Sequence, residues 1–377
     1  MGTAFIGVAD DPSALVFNPS GLTQVDNTQA YGGVTAFYLS SSLRTRSGEK
    51  DTSEDQVFFP PHLYITSDFG NDRFGSGFGI YSPFGYGGRH WGDNGPARFI
   101  TTDDLMATLS IDLAFAWEVF PRLAIGGSGY YLLARNETSR LIDQSALGSL
   151  PGRFESETAG GNFGYSLSLL FHFTPAVRAG LNYRSAVNVT QCGDASVQQI
   201  SPALQPIFGG ENYETDVEIE TEFPAIIGCG ISWKIGSKWL VSADIERTFW
   251  SSFQDMRIDF DEEVPQAGFT DITVPFKWRD VWSFKAGAEY CISDAWRVRA
   301  GYAFIENPVP DETFSPANPD ADLHVPTIGL GYQKSPYWAD IFLIVDLYED
   351  RAVDNAILSG KYENDAGFAG FSIGYSF

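Results

Sequence analysis

The sequence lacks any apolar run long enough to cross a bilayer as a helix. Its longest apolar stretches, such as FLIVDL and PAIIGCGISW, are only as long as a strand, whereas a membrane helix needs about 18 or more consecutive apolar residues. An α-helical membrane protein is therefore excluded. The opening MGTAFIGVADDPSALVF also lacks the basic, apolar and small-residue order of a secretory leader. We expect either that a leader has been removed or that the protein is not exported.

Basic residues and cysteines are both scarce. There are 24 Lys and Arg against 48 Asp and Glu, which gives a net charge of −24. Such a chain has no basic surface with which to neutralise phosphates, so a nucleic-acid partner is excluded. The three cysteines, Cys192, Cys229 and Cys291, contain no C-x-x-C pair. They predict neither a zinc site nor a disulfide framework, but free or packed thiols, with one disulfide as the alternative.

Catalytic and nucleotide-binding motifs are missing as well. The sequence has four histidines and neither G-x-S-x-G nor H-E-x-x-H, and no helical pattern follows the glycine-rich stretch at 75–85. We therefore predict no enzyme, no cofactor and no metal site. Two acidic clusters, DFDEEVP at 259–265 and NPDADLH at 318–324, are interpreted as solvated loop charges, with Ca²⁺ binding as the alternative.

A two-residue alternation of apolar and polar side chains recurs along the chain. In LMATLSIDLAFAWEVF, which begins at Leu105, every odd-numbered position is apolar, and the intervening positions include Thr108, Ser110, Asp112 and Glu118. The same pattern recurs in NFGYSLSLLFHF, AWRVRAGYAF and the closing GFSIGYSF. It is typical of strands with one apolar face.

Three features favour a membrane barrel over a soluble sandwich. The alternating runs are often ten to fifteen residues long, their apolar faces end in aromatic residues, and the connections alternate between short and long. The pattern predicts strands at 28–44, 60–68, 73–83, 105–119, 121–138, 157–173, 175–190, 215–234, 238–258, 274–291, 294–306, 323–334, 337–350 and 365–377. We therefore predict an all-β fold, a 14-stranded antiparallel transmembrane β-barrel in the bacterial outer membrane. A soluble all-β protein is the alternative.

The first 27 residues do not fit a spanning strand. They are rich in turn residues, including Pro12 and the run Asn-Pro-Ser-Gly at 18–21. We predict two parts: residues 1–27 form an N-terminal hatch that plugs the lumen, and residues 28–377 form the barrel. The alternative for residues 1–27 is a disordered periplasmic tail.

Alternation also places two arginines inside the barrel. If Trp282 and Phe284 face lipid, Arg279 faces inward, and Arg140 is inward by the same argument from Leu123. Two arginines in a partly apolar lumen could hold a carboxylate by charge-assisted hydrogen bonds. The alternative is that they only neutralise acidic neighbours.

One predicted strand is weak. In FGSGFGIYSPFGYGG, at 74–88, Gly75, Gly77 and Gly79 occupy one face and Pro83 removes a backbone donor. Glycine and proline in a barrel wall favour a kink.

The quoted motifs resemble the FadL/TodX-type outer-membrane transporters of long-chain fatty acids and hydrophobic compounds over nearly the full length. The motifs that carry this resemblance are ADDPSALVFNPSGL at 9–22, GIYSPFG at 79–85, WGDNGPARF at 91–99, TFWSSF at 248–253, WRDVWSFKAGAEY at 278–290, RAGYAFIENPVP at 299–310 and the closing GFSIGYSF. The resemblance implies a fourteen-stranded barrel, a hatch that contains Asn18 and Pro19, and an interior apolar site. The family's hatch usually extends further upstream, so we expect that this chain lacks its leader and outermost hatch residues.

The resemblance also assigns site residues. It implies that Arg279, Arg140 and Ser82 contact the ligand carboxylate. Ser82, however, has the lipid-facing phase of Phe78 and reaches the lumen only if a bulge near Pro83 reverses that phase.

We add Phe78, Phe84 and Trp91 as an apolar lining, and Gly75, Gly77, Gly79 and Pro83 as a lateral opening.

The predicted function is passive uptake of a long-chain fatty acid or another hydrophobic molecule, with sideways release at the interrupted third strand. The expected partners are this ligand, membrane lipid and lipopolysaccharide, and we expect a monomer. An aqueous porin for small polar solutes is the main alternative, and an adhesin or structural barrel with acidic loops is a weaker one. Fatty acid is favoured over hydrocarbon because of the two predicted inward arginines.

Overall fold

The computed structural model describes residues 1–377, and almost all of its regular structure is β. The strands are β1 (Gln29–Thr45), β2 (Lys50–Thr52), β3 (Gln56–Phe58), β4 (Pro61–Ser67), β5 (Phe74–Tyr81), β6 (Tyr86–His90), β7 (Asp103–Phe120), β8 (Leu123–Ile142), β9 (Gly152–Thr174), β10 (Val177–Arg184), β11 (Val187–Gln198), β12 (Tyr213–Phe223), β13 (Ile226–Ile235), β14 (Trp239–Thr248), β15 (Asp255–Phe260), β16 (Ile272–Pro275), β17 (Val281–Cys291), β18 (Trp296–Ile305), β19 (Leu323–Lys334), β20 (Tyr337–Tyr348), β21 (Arg351–Val353) and β22 (Gly360–Ser376). The helices are α1 (Ala14–Phe17) and α2 (Gln205–Phe208), and 3₁₀ turns cover Pro19–Gln24, Ser145–Leu147, Trp250–Ser252 and Pro265–Ala267. None of the helices has the length and hydropathy that crossing a membrane requires.

The strands form one closed antiparallel barrel of fourteen wall strands. A wall strand is a segment that runs along the wall once and contains one to three of the strands above. Wall strand 2 contains β2 to β4, wall strand 3 contains β5 and β6, and the pairs β10–β11, β12–β13, β14–β15, β16–β17 and β20–β21 form wall strands 7, 8, 9, 10 and 13. Each remaining strand is a wall strand by itself. The last strand, β22, pairs with β1 from Gln29↔Ser376 to Thr45↔Gly360, which confirms the predicted architecture.

Several wall strands are interrupted where the sequence predicted continuous ones. Wall strand 7 breaks at Ser185 and Ala186, and wall strand 8 breaks at Pro224 and Ala225. Pro224 has no backbone N–H to donate to the ladder, which explains the second break. Alternation continues on both sides of these breaks but changes phase across each one: the buried positions are even-numbered in β10 and β13 and odd-numbered in β11 and β12.

The outward face is apolar, as predicted. Along β7, the side chains of Leu113, Phe115 and Trp117 are 57%, 58% and 54% exposed, whereas those of Ala114 and Ala116 are buried. Large apolar side chains on the outward face of other wall strands are exposed as well, including Phe163, Leu167, Ile231, Trp282, Phe284, Ile328, Ile341, Leu343, Phe371 and Ile373. A band of this kind fits a hydrocarbon solvent, and it ends at short turns such as those at 121–122 and 335–336.

The inward face is largely polar and contacts the N-terminal segment, which we define as residues 1–27. The N–H of Ile6 donates to Asp244 at 2.8 Å, Ser242 donates to the carbonyl of Ala4 at 2.8 Å, and Ser232 donates to that of Gly7 at 2.6 Å. Most apolar side chains of the segment are fully buried. Polar residues at the inward phase therefore give this irregular backbone the partners that it needs inside a barrel.

Glycines of the third wall strand have a packing role. A Cβ added to Gly75 would lie 2.4 Å from the carbonyl oxygen of Leu22, and one on Gly77 or Gly79 would lie 2.9 Å from the side chain of Leu15. The two leucines thus occupy the space that inward side chains of β5 would fill. All three glycines remain in register with β4 or β7. They allow close approach of the N-terminal segment, and the ladder stays intact around them.

Candidate ligand-binding site

The interruption of the wall lies at Ser82–Gly85, which we call the bulge. Tyr81 pairs with Ser110 and Tyr86 pairs with Ala107. Four residues of wall strand 3 therefore lie opposite two residues of β7. Within wall strand 3, loss of regular pairing to β7 is confined to this segment, which leaves a weak point in the wall.

Thr108 bridges the bulge. Its side-chain oxygen accepts the N–H of Phe84 at 3.1 Å and donates to the carbonyl of Gly85 at 3.0 Å. The N–H of Thr108 also donates to the carbonyl of Gly85 at 3.0 Å. A single buried threonine thus holds the two sides of the weak point together.

The bulge leaves the alternation of wall strand 3 unchanged. Because it contains two extra residues, odd-numbered positions face inward both before and after it. Ser82 remains within the bulge, where its hydroxyl donates to the carbonyl of Gly85 at 2.9 Å. The full phase reversal that would turn Ser82 toward the lumen does not occur.

The three residues predicted as an apolar lining lie in three different places. Phe84 points inward, and its ring lies 5.2 Å from that of Phe223. Phe78 is on the outward face, because its ladder partners are the exposed Ile65 and Leu113. We therefore correct that assignment: Phe78 faces lipid, as its phase indicates.

Trp91 belongs to a packed cluster of loops inside the barrel mouth. It is 4% exposed, and its Nε1 donates to the carbonyl of Pro316 at 3.1 Å. The cluster also contains Leu43, Ala97, Val309, Phe314, Val353 and Tyr362. Trp91 is therefore a packed residue of this cluster and is not among the residues that line the apolar cavity described below.

A buried polar network lies beside the bulge. Tyr81 is the last paired residue before the bulge, and its hydroxyl donates to Asp112 at 2.8 Å. The guanidinium of Arg184 contacts Tyr81, lies 3.6 Å from Asp112 and stacks 3.7 Å above the ring of Tyr130. These contacts join wall strands 3, 4, 5 and 7, so the network fixes the position of the strand end at which the bulge begins.

An inward-facing group of aromatic residues escaped the sequence analysis. We call it the aromatic lane: Tyr31, Phe37, Phe58, Trp338, Phe342 and Phe368. The rings of Phe37 and Phe368 are 4.4 Å apart, and those of Tyr31 and Trp338 are 6.2 Å apart. All six are half-buried.

The aromatic lane ends beside the bulge. A Cβ on Gly87 would lie 3.0 Å from the ring of Phe37 and 3.2 Å from that of Phe58, and Gly87 is two residues beyond the bulge. The two-residue alternation could have revealed the lane. It places Phe37 and Phe368 on the inward face, because Val34 and Phe371 on the same strands face outward.

An apolar cavity of about 480 Å³ lies among the long loops at the barrel mouth. We call it the mouth cavity. Its walls include Phe154, Val197, Ile200, Leu204, Phe208 and Phe269. This volume is within the range of small-molecule sites, about 300–1,000 Å³.

Arg140 lines the mouth cavity and has no acidic partner. Its guanidinium lies 5.6 Å from the ring of Phe154, and no carboxylate oxygen is within the 4.0 Å of a salt bridge, although nineteen such bridges occur elsewhere. A cation of this kind at an apolar cavity is equipped to bind an amphipathic anion.

Arg279 lies in a different environment. It is exposed, and its Nε donates to the carbonyl of Asn307 at 3.1 Å. The surrounding pocket of about 390 Å³ contains Asp311, Asp322, Glu349 and Asp350 as well as Arg351. Acidic neighbours repel a carboxylate, and this pocket shares no lining residue with the mouth cavity. The structure does not bring Arg279 and Arg140 together.

Asn18 links the N-terminal segment to the wall. Its side-chain amide donates to the carbonyl of Ile6 at 2.8 Å and to that of Leu169 at 3.1 Å. Both Asn18 and Pro19 are buried, and Pro19 begins the 3₁₀ turn that leads to Leu22. Asn18 thus holds the segment both to itself and to β9.

Four carboxylates lie side by side on the outer surface, above the apolar band. Glu137 pairs with Glu157, Glu157 with Asp194, and Asp194 with Asp216 across adjacent wall strands. We call these four residues the acidic row. Like charges directly opposite each other in a sheet are destabilising, and of the four only Glu137 and Glu157 share a cation, Arg135.

The variant Asp194→Asn should therefore stabilise the barrel. We expect roughly 0.2–1 kcal/mol at low ionic strength, and a smaller gain in high salt because exposed charges are screened. Unfolding in urea at two salt concentrations measures this. Asp72→Asn, in an exposed turn away from the row, is the control. An equal gain in the free energy of unfolding in this control would show that repulsion within the acidic row is not the cause.

Comparisons with known proteins agree with this architecture. The sequence matches the family described as outer membrane protein transport protein (OMPP1/FadL/TodX) over residues 1–340. It is 24% identical over 370 residues to a long-chain fatty acid transport protein of Escherichia coli O6:H1, covering 88% of this chain and 80% of that protein.

Solved structures share the fold. A FadL homologue of Pseudomonas aeruginosa superposes with a TM-score of 0.89 at 18% identity, over 100% of this chain and 97% of that one. The toluene transporter TbuX of Ralstonia pickettii gives a TM-score of 0.79 at 20% identity, over 100% and 96%. These matches confirm the resemblance and place the protein in the bacterial outer membrane. The chain is a member of the OMPP1/FadL/TodX family of outer membrane transport proteins.

Proposed function

We propose that this protein takes up hydrophobic molecules passively, with long-chain fatty acids as the favoured substrate, and has no catalytic role. The observation that carries the proposal is the mouth cavity, an apolar space that contains the unpaired Arg140. A hydrocarbon tail would occupy the apolar walls, and the carboxylate would meet the guanidinium. The name of the Escherichia coli relative supports this substrate.

Transfer through the interior would follow apolar surfaces that flank the bulge. On one side is the aromatic lane, and on the other is Phe84 with its neighbours Phe223 and Trp250. Contact with these surfaces stabilises a hydrocarbon tail by about 25 cal/mol for each Å² of apolar surface that is removed from water. Transfer therefore needs no energy source. Release would occur sideways at the bulge, where Thr108 alone bridges the gap.

The N-terminal segment would act as the hatch. Its contacts through Asn18 and Ser20 are hydrogen bonds to β9, which can exchange for water when the segment moves. In this proposal a monomer lies in lipid and lipopolysaccharide, since the closed sheet leaves no free edge.

The carboxylate contact in this proposal is Arg140. Arg279 is surrounded by acids, and Ser82 would first have to give up its bond to Gly85. A hydrocarbon without a carboxylate remains the alternative substrate, since TbuX is a toluene transporter of the same fold.

Arg140→Gln tests the substrate class. We expect the Kd for palmitate to rise about tenfold or more, because a hydrogen bond to a charged group contributes ~1.5–3 kcal/mol, while binding of hexadecanol is unchanged. Isothermal titration of the purified protein in detergent measures both.

Arg279→Gln is the matched control and should leave both affinities unchanged. If palmitate and hexadecanol bind equally well to the wild type, and Arg140→Gln affects neither, the carboxylate assignment is wrong and a hydrocarbon becomes the better substrate.

A further inference from the structure

A buried carboxylate on the inward face lies beside the aromatic lane and has no partner in the chain. Asp346 is 8% exposed, whereas Val345 and Leu347 on either side of it are 39% and 52% exposed on the outward face. No hydrogen bond or salt bridge of the chain involves its side chain. We propose that Asp346 and the aromatic lane form a binding site for a cationic amphiphile, an ammonium group attached to a hydrocarbon. This inference goes beyond the proposed function, because it adds a second class of ligand at a second site.

The register places this carboxylate one step from the paired rings of the lane. Asp346 pairs with Ala366, which pairs with Leu39 on β1. Two residues closer to the short turns, Phe368 pairs with Phe37, and the two rings are 4.4 Å apart. Two residues of a strand span about 7 Å. A single molecule can therefore contact the rings and the carboxylate at the same time.

The lane is long enough for an extended alkyl chain. Phe342 lies four residues before Asp346 on β20, and Trp338 lies four residues before Phe342. At about 3.4 Å per residue, these eight residues span about 27 Å. The carboxylate between them, Asp340, is already paired with Arg299. The lane thus provides apolar surface for a hydrocarbon, and Asp346 provides an unused charge at one end.

The surroundings of Asp346 fit an ammonium group better than a metal ion. Its neighbours on the same rung of the ladder, Ala366 and Leu39, are buried and apolar, so they offer no oxygen ligands. Ca²⁺ takes about 6–8 oxygen ligands, and Mg²⁺ demands near-octahedral geometry. An unpaired buried carboxylate is costly. The N–H donors of an ammonium group relieve this cost through charge-assisted hydrogen bonds.

Other charges in this part of the lumen also favour a cation. Arg89 faces inward, and its Nε donates to Ser41 at 2.7 Å. Arg89 is opposite Asp104 in the ladder and interacts electrostatically with Asp320 as well. Two carboxylates therefore already offset this one guanidinium, and Asp346 adds a third. The net charge near the upper end of the lane is negative.

The lane and the mouth cavity thus select head groups of opposite charge. Arg140 at the mouth cavity attracts a carboxylate, whereas Asp346 repels one and attracts an ammonium group. A fatty acid whose head is repelled by Asp346 keeps the other flank of the bulge, where Phe84 contacts Phe223. The acidic row and the net charge of −24 raise the local concentration of cations at the surface.

Isothermal titration of the full chain in detergent with hexadecylamine and hexadecanol tests the site. The two probes have the same alkyl chain and differ only in the head group. We expect the wild type to bind hexadecylamine at least about tenfold more tightly, equivalent to ~1.4 kcal/mol. Asp346→Asn keeps the shape of the side chain and removes its charge. Its Kd for hexadecylamine should rise at least about tenfold, while its Kd for hexadecanol should equal that of the wild type.

Two further variants separate the head-group contact from the tail contact. Asp365→Asn removes an exposed outward carboxylate next to Ala366 and should leave both affinities unchanged. Phe368→Ala removes a ring of the lane and should weaken both probes by a similar factor. The heat-dependent shift of the barrel in gel electrophoresis checks that each variant is folded.

Two results would overturn the inference. One is equal affinity of the wild type for hexadecylamine and hexadecanol, which would show that no carboxylate contacts the head group. The other is a preference for hexadecylamine that survives Asp346→Asn, which would place the bound amine at the acids of the outer surface. Neither result bears on the palmitate measurement with Arg140→Gln, so failure of this inference and failure of the proposed function are distinguishable.

Discussion

Deletion of Pro83 and Phe84 is expected to abolish uptake while the barrel still folds. The remaining Ser82 and Gly85 would face Leu109 and Thr108, since Tyr81 pairs with Ser110 and Tyr86 with Ala107. The ladder would then be continuous. Opening a hydrogen-bonded wall in lipid costs several kcal/mol per broken bond, and about 1.4 kcal/mol is a factor of ten, so uptake should fall at least about a hundredfold.

Uptake of radiolabelled palmitate by cells that express each variant measures this. Pro83→Ala, which keeps all four residues of the bulge, is the control and should retain uptake. Folding is checked by the heat-dependent shift of the barrel in gel electrophoresis. Uptake by the shortened variant at the wild-type rate would rule out lateral release and would require a path past the N-terminal segment.

Removal of the N-terminal segment is expected to convert the protein into an open pore. The segment fills the inward face through contacts with Ser168, Ser232, Ser242 and Asp244. Without it, these polar groups would line a water-filled channel, as in barrels of similar or slightly larger strand number. In planar bilayers we expect the full chain to conduct ions poorly and a chain that begins at residue 26 to conduct strongly.

Asn18→Ala provides an intermediate case. It removes the donors to Ile6 and Leu169 and leaves the buried carbonyl of Ile6 short of a partner, at a cost of about 1–3 kcal/mol. Brief openings on a closed background are therefore expected. High conductance by the full chain would favour the aqueous porin over a plugged transporter.

The fold was predictable because an antiparallel barrel encodes its two environments locally. Each residue of β7 faces lipid or lumen according to its position alone, so Leu113 and Ala114 differ in exposure as the sequence predicts. The number of wall strands followed from counting alternating runs between turns. The breaks at Pro224 and at Ser185 each reverse the inward phase, and the prediction of continuous strands at 175–190 and 215–234 missed both.

The candidate site was only partly predictable. The two-residue alternation along the strand predicted that Arg140 faces inward, and the structure shows this arginine at an apolar cavity. Phase could not show that Arg279 lies among acids, because those acids come from loops distant in sequence. The glycines of β5 had suggested a weak ladder, yet they accommodate Leu15 and Leu22, a contact between segments that no local pattern reveals.

The sequence by itself determined which side of each strand meets the bilayer and how many times the chain traverses the wall. Both follow from a two-residue period that a few neighbouring residues define. The register between strands decided the rest: it set four residues against two at the bulge, joined Thr108 to Gly85, and aligned the acidic row across adjacent wall strands. Register depends on pairing between distant segments, so only the folded barrel fixes these sites.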